Sequence, residues 1–597
     1  MLSSIIVKAG LWLSLTIAVA AQTISEDPTT DENLLQFKSR PDIFPPRLFV
    51  NTTQDGVAPG YIFMAPYQAY QTSAAIYEQN GDLIWYGWGV TGGSNVHDFK
   101  VCQYNGTDHL CFFQGFQYRG YARGQAIIMD TSLQTVKTVT ALNSRGSLDQ
   151  HEFHIVGDSA LTTLYRPERY DLSAFNITNG EGWIQDSIFQ DVNMTTGELN
   201  FEWSAMEHVA LSEGYVSPNQ SEVAGTGFNA ASPWDYFHMN SVDKNGDGDY
   251  LISARHVSTL YKINGQTGDI IWRCGGKLSD FEIPNGLNWS YQHDARWLSQ
   301  NASTDIISFF DNASNGFNQS ADHSAGYIIK LNHDATPPTV ELLHSYPAPE
   351  DQAISASQGN LQILNKDDWA NSNTFVGWGS QPAITEHAPD GSILYRAGVA
   401  FNGQMNYRAY KFDLPLTPKE NPALYTYALS TNDDTTYYMS WNGATEVATW
   451  RIYGRGACDS DWALLNEVPK DGFETNFTAQ GYQEFGMVEA VAGNGTGLRN
   501  STNRGIKPFV PSASLSQSCN GDGCQIVTQY GLSTGQEVVA ETRPGCAALP
   551  ITIANTAQDQ TSNGGGSGEN KAAVLGSSVM SMASISVLAT LVIGLML

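Results

Sequence analysis

Between residues 55 and 490 no stretch of the chain carries apolar side chains at helical spacing. Short runs rich in β-branched and aromatic residues recur there instead, among them "QAIIMDT", "ALTTLYR", "TDIISFF", "GYIIKLN", "NTFVGWG" and "EVATWRIYG". Three segments echo one another: "IYEQNGDLIWYG" (Ile76 to Gly87), "YKINGQTGDIIWRCGG" (Tyr261 to Gly276) and "ITEHAPDGSILYRAG" (Ile384 to Gly398). Each reads as an outer hairpin of a repeated four-stranded sheet, so the expected fold is all-β, a β-propeller over 55–490. Trp85, Trp272 and Trp378 read as aromatics packed between sheets. With 56 glycines in 597 residues and only 15% charged, the composition suits many strands joined by turns.

The net charge of −29 excludes nucleic acid as a partner, because a phosphate backbone demands a basic surface. An anionic ligand therefore needs a local cluster of cationic donors. Residues 1–21 read as a signal peptide, 22–54 as a lead-in, 491–550 as a small Cys-linked extension and 551–571 as a Ser/Gly/Asn-rich stalk. The apolar tail, 572–597, reads as a GPI signal or a single membrane anchor, which places the protein on the outer face of the cell. Sequons at Asn51, Asn105, Asn176, Asn193, Asn219, Asn288, Asn301, Asn312, Asn318, Asn476, Asn494 and Asn500 fit a secreted glycoprotein. Of the seven cysteines, Cys102 and Cys111 flank a hairpin-like loop and are expected to pair. Cys519 and Cys524 flank a similar turn, and their pairing, together with that of Cys458 and Cys546 and a free Cys274, is one connectivity among those the sequence leaves open. No zinc-ligand spacing is present.

The stretch "FHMNSVDKNGDGDYLISARH", Phe237 to His256, fits the first half of a calcium loop, but Ala254 stands where a bidentate Glu is needed. A hairpin fits better, with Asp243, Asp247 and Asp249 in a solvated turn. An even-numbered turn pairs His238 with Arg255 and Asn240 with Ser253 on one face and turns His256 away into the sheet packing; an odd turn breaks that inference. His151, His154 and His293 stand in similar polar settings, "DQHEFH" and "YQHDARW", with Glu152 and Asp294 able to orient imidazoles. His154, like His256, reads as sheet packing. No nucleophile elbow, P-loop or dinucleotide fingerprint occurs.

These stretches, with "GYIFMAPY", "DFKVCQYNGTDHLCF" and "FVGWGSQPAITEH", resemble the fungal branch of the PAPS-independent arylsulfotransferases from about Gly60 to Tyr395. The resemblance implies a six-bladed propeller with its site in the central channel. It implies His293 as nucleophile, His151, His238 and Arg255 as the sulfate-binding set, and supporting roles for Asn240, Asp294 and Arg296. It also implies sulfuryl transfer from an aryl sulfate to a phenol through a sulfohistidine, with no cofactor. A non-catalytic binding or adhesion propeller and a hydrolase acting on phenolic metabolites are the alternatives.

Overall fold

The computed structural model describes residues 28–511 except 119, 144–145, 178–179, 219–223, 401–402, 458 and 503. The expected signal peptide, stalk and anchor, with Asn219, Cys458, Cys519, Cys524 and Cys546, lie outside the described residues. Among those described, no helix is long and apolar enough to cross a membrane, and the protein is all-β.

Six antiparallel sheets follow one another. Sheet 1 contains Tyr410–Phe412, Tyr61–Met64, Ala75–Tyr77 and Leu83–Tyr86, so a late strand joins three early ones. Sheet 2 runs Asn95–Tyr104, Thr107–Gln117, Ala122–Met129, Thr135–Val139, and sheet 3 runs Phe153–Val156, Ser159–Asp171, Glu181–Asn193, Leu199–Ser204. Sheet 4 is Met239–Lys244, Tyr250–Ala254, Thr259–Ile263 and Ile270–Gly275. Sheet 5 is His293–Gln300, Thr304–Asp311, Ala325–Asn332 and Thr339–Pro347. Sheet 6 is Asn360–Ile363, Thr374–Gly377, Ala383–His387 and Ile393–Val399, with Leu48–Thr53 added at its edge. The three echoed segments are the third and fourth strands of sheets 1, 4 and 6. Each sheet packs against the next, and sheet 6 packs on the Tyr410–Phe412 strand of sheet 1.

The tryptophans fill the gaps between sheets: Trp85 packs with Phe99 and Phe112, Trp272 with Phe281 and Trp289, and Trp378 with Phe310 and Ile328. Burial of that kind is worth about 3–5 kcal/mol per tryptophan against alanine. Cys102 and Cys111 are disulfide-bonded across the first two strands of sheet 2, and Cys274 is free and buried.

The boundary expected at 490 falls inside the strand Phe485–Ala492, which pairs with Val447–Arg455. Sheet pairing changes earlier, between Phe412 and Ala423: Ala423–Ala428, Thr435–Ser440 and Glu474–Ala479 form one further sheet. Ala463–Pro469, Val447–Arg455, Phe485–Ala492 and Gly497–Asn500 form another. This pair of sheets covers the outer strand of sheet 1, where Asn442 Oδ1 accepts from Tyr86 N at 2.9 Å and its Nδ2 donates to Tyr86 O at 3.0 Å. An edge strand is thereby kept from pairing elsewhere.

At the inner ends of the first strands, six charges are buried together. Arg408 Nη1 lies 2.9 Å from Asp98 Oδ1 and 3.1 Å from Glu152 Oε1, and Arg296 Nη2 lies 2.6 Å from Glu152 Oε2 and 2.7 Å from Asp294 Oδ1. Lys100 Nζ completes the set 2.5 Å from Asp98 Oδ2. Burial alone would raise Glu152, but Arg296, Arg408 and Lys100 hold it far below the usual carboxylate range. Glu152 and Asp294 therefore serve this network and not the imidazoles, which corrects the sequence reading.

Of the sequons, Asn51, Asn105, Asn176, Asn288, Asn301, Asn318, Asn476 and Asn494 are exposed, and Asn193 and Asn500 half-buried. Asn312 is fully buried. Its Nδ2 donates to Ser355 O at 2.8 Å and Gln358 O at 2.9 Å, so it has no room for a glycan in the folded chain.

Candidate active site

The hairpin of sheet 4 brings His238 and Arg255 together by a route other than the expected one. Lys244 pairs with Tyr250 across a five-residue turn, so the turn is odd and Ser241, not Asn240, faces Ser253. Asn240 is then the extra residue of a bulge between Met239 and Ser241, which returns the strand to the register in which Arg255 N donates to His238 O at 2.9 Å. Asn240 Nδ2 and Ser253 Oγ still converge, both donating to Gln292 O. Asp243 lies in the strand and not in the turn, accepting from Trp297 N at 3.0 Å. His154, half-buried, lies 3.5 Å from it through Nε2.

His256 is not turned away. Its ring lies 4.6 Å from that of His238, and Arg255 Nη1 donates to its Nε2 at 2.7 Å. The His151 ring meets the His238 ring edge-on at 4.7 Å, and Tyr165 lies against both. His151 Nδ1 is bonded to Asp149, and His238 Nδ1 to Asp235 Oδ2 at 2.5 Å. A carboxylate on one nitrogen orients each ring with Nε2 left for a ligand. Arg255 Nη2 is held by Ala356 O at 2.9 Å, its Nε has no partner among the described residues, and its guanidinium lies over the Tyr291 ring.

His293 opens the first strand of sheet 5. Its Nδ1 lies 2.6 Å from Asn312 Oδ1 and 3.1 Å from Tyr291 O, and Gln358 N donates to its Nε2 at 3.3 Å. Tyr407 joins the cluster: its ring lies 5.7 Å from His151, 6.5 Å from His293 and 5.6 Å from His97. Its hydroxyl donates to His151 O at 3.1 Å. Both nitrogens of His97, Asn240 Oδ1 and Gln358 Oε1 are buried without a partner among the described residues. Asp98, His238, Tyr291, Asp294 and Gln358 all have left-handed backbone, with φ from 56° to 67°. Such conformations cost about 1–3 kcal/mol each and gather where geometry serves function.

Burial pulls His238, His256 and His293 well below the ordinary imidazole range, with Arg255 adding repulsion in each case. Burial and the neighbouring His151 take His97 down to about 3, and burial pushes Asp235 up to about 6. Asp235, His238 and His256 bring ligand-type atoms within 4.8 Å of one another. The donors are already engaged, though, since His256 Nδ1–H donates to Asp235 O at 2.6 Å, and the adjoining Arg255 cation opposes a metal. The set suits an anion.

The expected four, His151, His238, Arg255 and His293, thus meet at one place, at 3%, 4%, 4% and 1% exposure. From the cluster a ladder of rings runs to the surface: Tyr165 stacks on Tyr121 at 6.2 Å, and Tyr121 on the 52%-exposed Tyr118 at 5.5 Å. Sequence reasoning missed His97, Asp235, His256, Asn312, Tyr407 and Arg408.

An all-β chain that gathers buried imidazoles and an arginine into one cluster defines a β-sheet protein with a histidine-rich polar centre. The family model for arylsulfotransferase (ASST) matches residues 100–400, half of the chain, including all four of those residues; the chain belongs to the ASST family. No curated protein matches it. Similar solved structures include a protein of unknown function from Bacteroides caccae, at 11% identity and a TM-score of 0.34, covering 60% of this chain and 99% of that one. Another is apo AztD from Citrobacter koseri, at 8% identity and 0.25, covering 70% and 98%. The GH43 protein BlXynB from Bacillus licheniformis, at 8% and 0.26, covers 76% and 91%.

Proposed function

We propose that the chain is a sulfotransferase that moves a sulfuryl group from an aryl sulfate to a phenol, with His293 as the nucleophile. The observation that carries it is the meeting of His293 with His151, His238 and Arg255 in a chain of this family. The neutral His293 attacks sulfur, the bond from sulfur to the aryl oxygen breaks, and its electron pair leaves with the phenolate. A second phenol then attacks the sulfohistidine, the nitrogen–sulfur pair returns to the ring, and the acceptor's proton ends on the first phenolate. Arg255 offers a planar fork to the sulfuryl oxygens beside His151 and His238. A preorganised donor of this sort is worth about 3–4 kcal/mol in the transition state.

The six sheets are read as blades of a closed propeller, supported by the packing of sheet 6 on sheet 1. Passage through the secretory pathway is supported by the exposed sequons and the disulfide, and tethering rests on the apolar tail of the sequence alone.

A second reading, a non-catalytic binding propeller, is favoured by the low exposure of the four side chains. Incubation with 4-nitrophenyl sulfate separates the two. Release of 4-nitrophenol with sulfated phenol product and an 80 Da adduct, the mass of SO3, on His293 supports the transferase; no adduct and no turnover supports the scaffold.

A further inference from the structure

We propose that Asn312, whose sequence context reads as a glycan acceptor, is instead the positioning residue of His293 and makes Nε2 the reacting nitrogen. The inference rests on the transferase reading for its catalytic part and on geometry for its tautomer. Asn312 cannot be turned over: Nδ2 donates to two backbone carbonyls, Ser355 O and Gln358 O, and a flipped amide would set its oxygen against both. Oδ1 must then face His293 Nδ1, 2.6 Å away, as an acceptor. Tyr291 O, 3.1 Å from the same nitrogen, also can only accept. Two acceptors on Nδ1 place the ring proton there. On the other side Gln358 N–H points at Nε2, which requires a lone pair.

One loop therefore reads both edges of the ring, since Gln358 supplies its N–H to Nε2 and its carbonyl to Asn312. When Nε2 takes the sulfuryl group the ring becomes cationic, and the Nδ1–H bond to Asn312 strengthens as a charged donor. No proton has to move in that step. The lone pair on Nε2 gives up the Gln358 N–H, 3.3 Å away, and forms the nitrogen–sulfur bond while the proton stays on Nδ1.

The test has two parts. The adduct left by 4-nitrophenyl sulfate is mapped to a ring nitrogen in the wild type and in Asn312→Ala and Asn312→Asp. In parallel, the His293 tautomer is read by nitrogen-15 NMR on histidine-labelled protein without substrate. The expected result is an Nε2 adduct in the wild type and, in Asn312→Ala, a mixture of Nε2 and Nδ1 adducts. In that variant kcat falls about 10–100-fold with KM little changed, as when the outer hydrogen-bond partner of a metal-bound histidine is lost. Asn312→Asp, protonated where it faces the carbonyls, restores the Nε2 preference. A wild-type Nδ1 adduct, or Asn312→Ala with unaltered kcat and unaltered adduct position, overturns the assignment. Should Asn312→Ala fail to fold, the wild-type NMR decides. No adduct with an Nδ1–H tautomer defeats the transferase reading and leaves Asn312 in its place; no adduct with an Nε2–H tautomer defeats both.

Discussion

Arg408 and Asp98, 310 residues apart in sequence, are joined by a 2.9 Å bond between side chains with no exposed surface. The same guanidinium reaches Glu152, so one arginine ties together chain segments leading into sheets 1, 2 and 3. Arg408→Met would leave Asp98 and Glu152 with less compensation in a dry interior. The expected loss is about 3–5 kcal/mol, seen as a lower urea midpoint. A variant as stable as the wild type would show that the network contributes specificity and not stability.

His97 is held neutral by burial, with its pKa down at about 3 against 6.5 unfolded. Its contribution to stability is complete above pH 6.5 and is lost as pH falls toward 3, because the unfolded chain takes up the proton first. His97→Phe should therefore flatten the decline of unfolding free energy between pH 6 and 4 by about 1.4 kcal/mol per pH unit. Denaturant titrations at a series of pH values measure that slope.

Asp235 has the opposite sign. Burial raises it to about 6, so the pair it forms with His238 picks up a proton as pH falls through that value. With that proton on the pair, His238 Nε2 can donate to an oxyanion. The KM for an aryl sulfate should fall with pH near 6, by up to about tenfold per unit. Asp235→Asn should make KM independent of pH in that window.

Glycan mapping of the chain expressed through a eukaryotic secretory pathway should find Asn301 and Asn318 accessible for modification and Asn312 bare, since the first two are exposed and the third is sealed against Ser355 and Gln358. A glycan on Asn312 in folded protein would contradict the hydrogen bonds that orient His293.

What could be read in advance follows the kind of signal each residue leaves. His151, His238, Arg255 and His293 were legible because imidazoles and an arginine in polar strand ends are uncommon and their order matches a family. Asn312 was hidden by its neighbours, as Asn-Ala-Ser reads as a sequon whatever the asparagine touches. His97 alternates along "NVHDFK" like any strand residue, and nothing in the sequence says that both its nitrogens end without partners. Tyr407 and Arg408 lie past the last recognised stretch and reach the centre only because the Tyr410–Phe412 strand returns to sheet 1. The two further sheets were not distinguished from the first six because strands on either side of 412–423 share one alternating pattern. The sign of Asp235 depended on burial, which composition cannot report.

The turn of sheet 4 has one residue too many for the expected phase, and the bulge at Asn240 cancels it. Losing either one alone would swing Arg255 to the far side of the hairpin, whereas losing both together would leave it beside His238. Length changes in this hairpin are therefore tolerable only in compensating pairs, so that a lone deletion there parts Arg255 from His238 without altering either side chain.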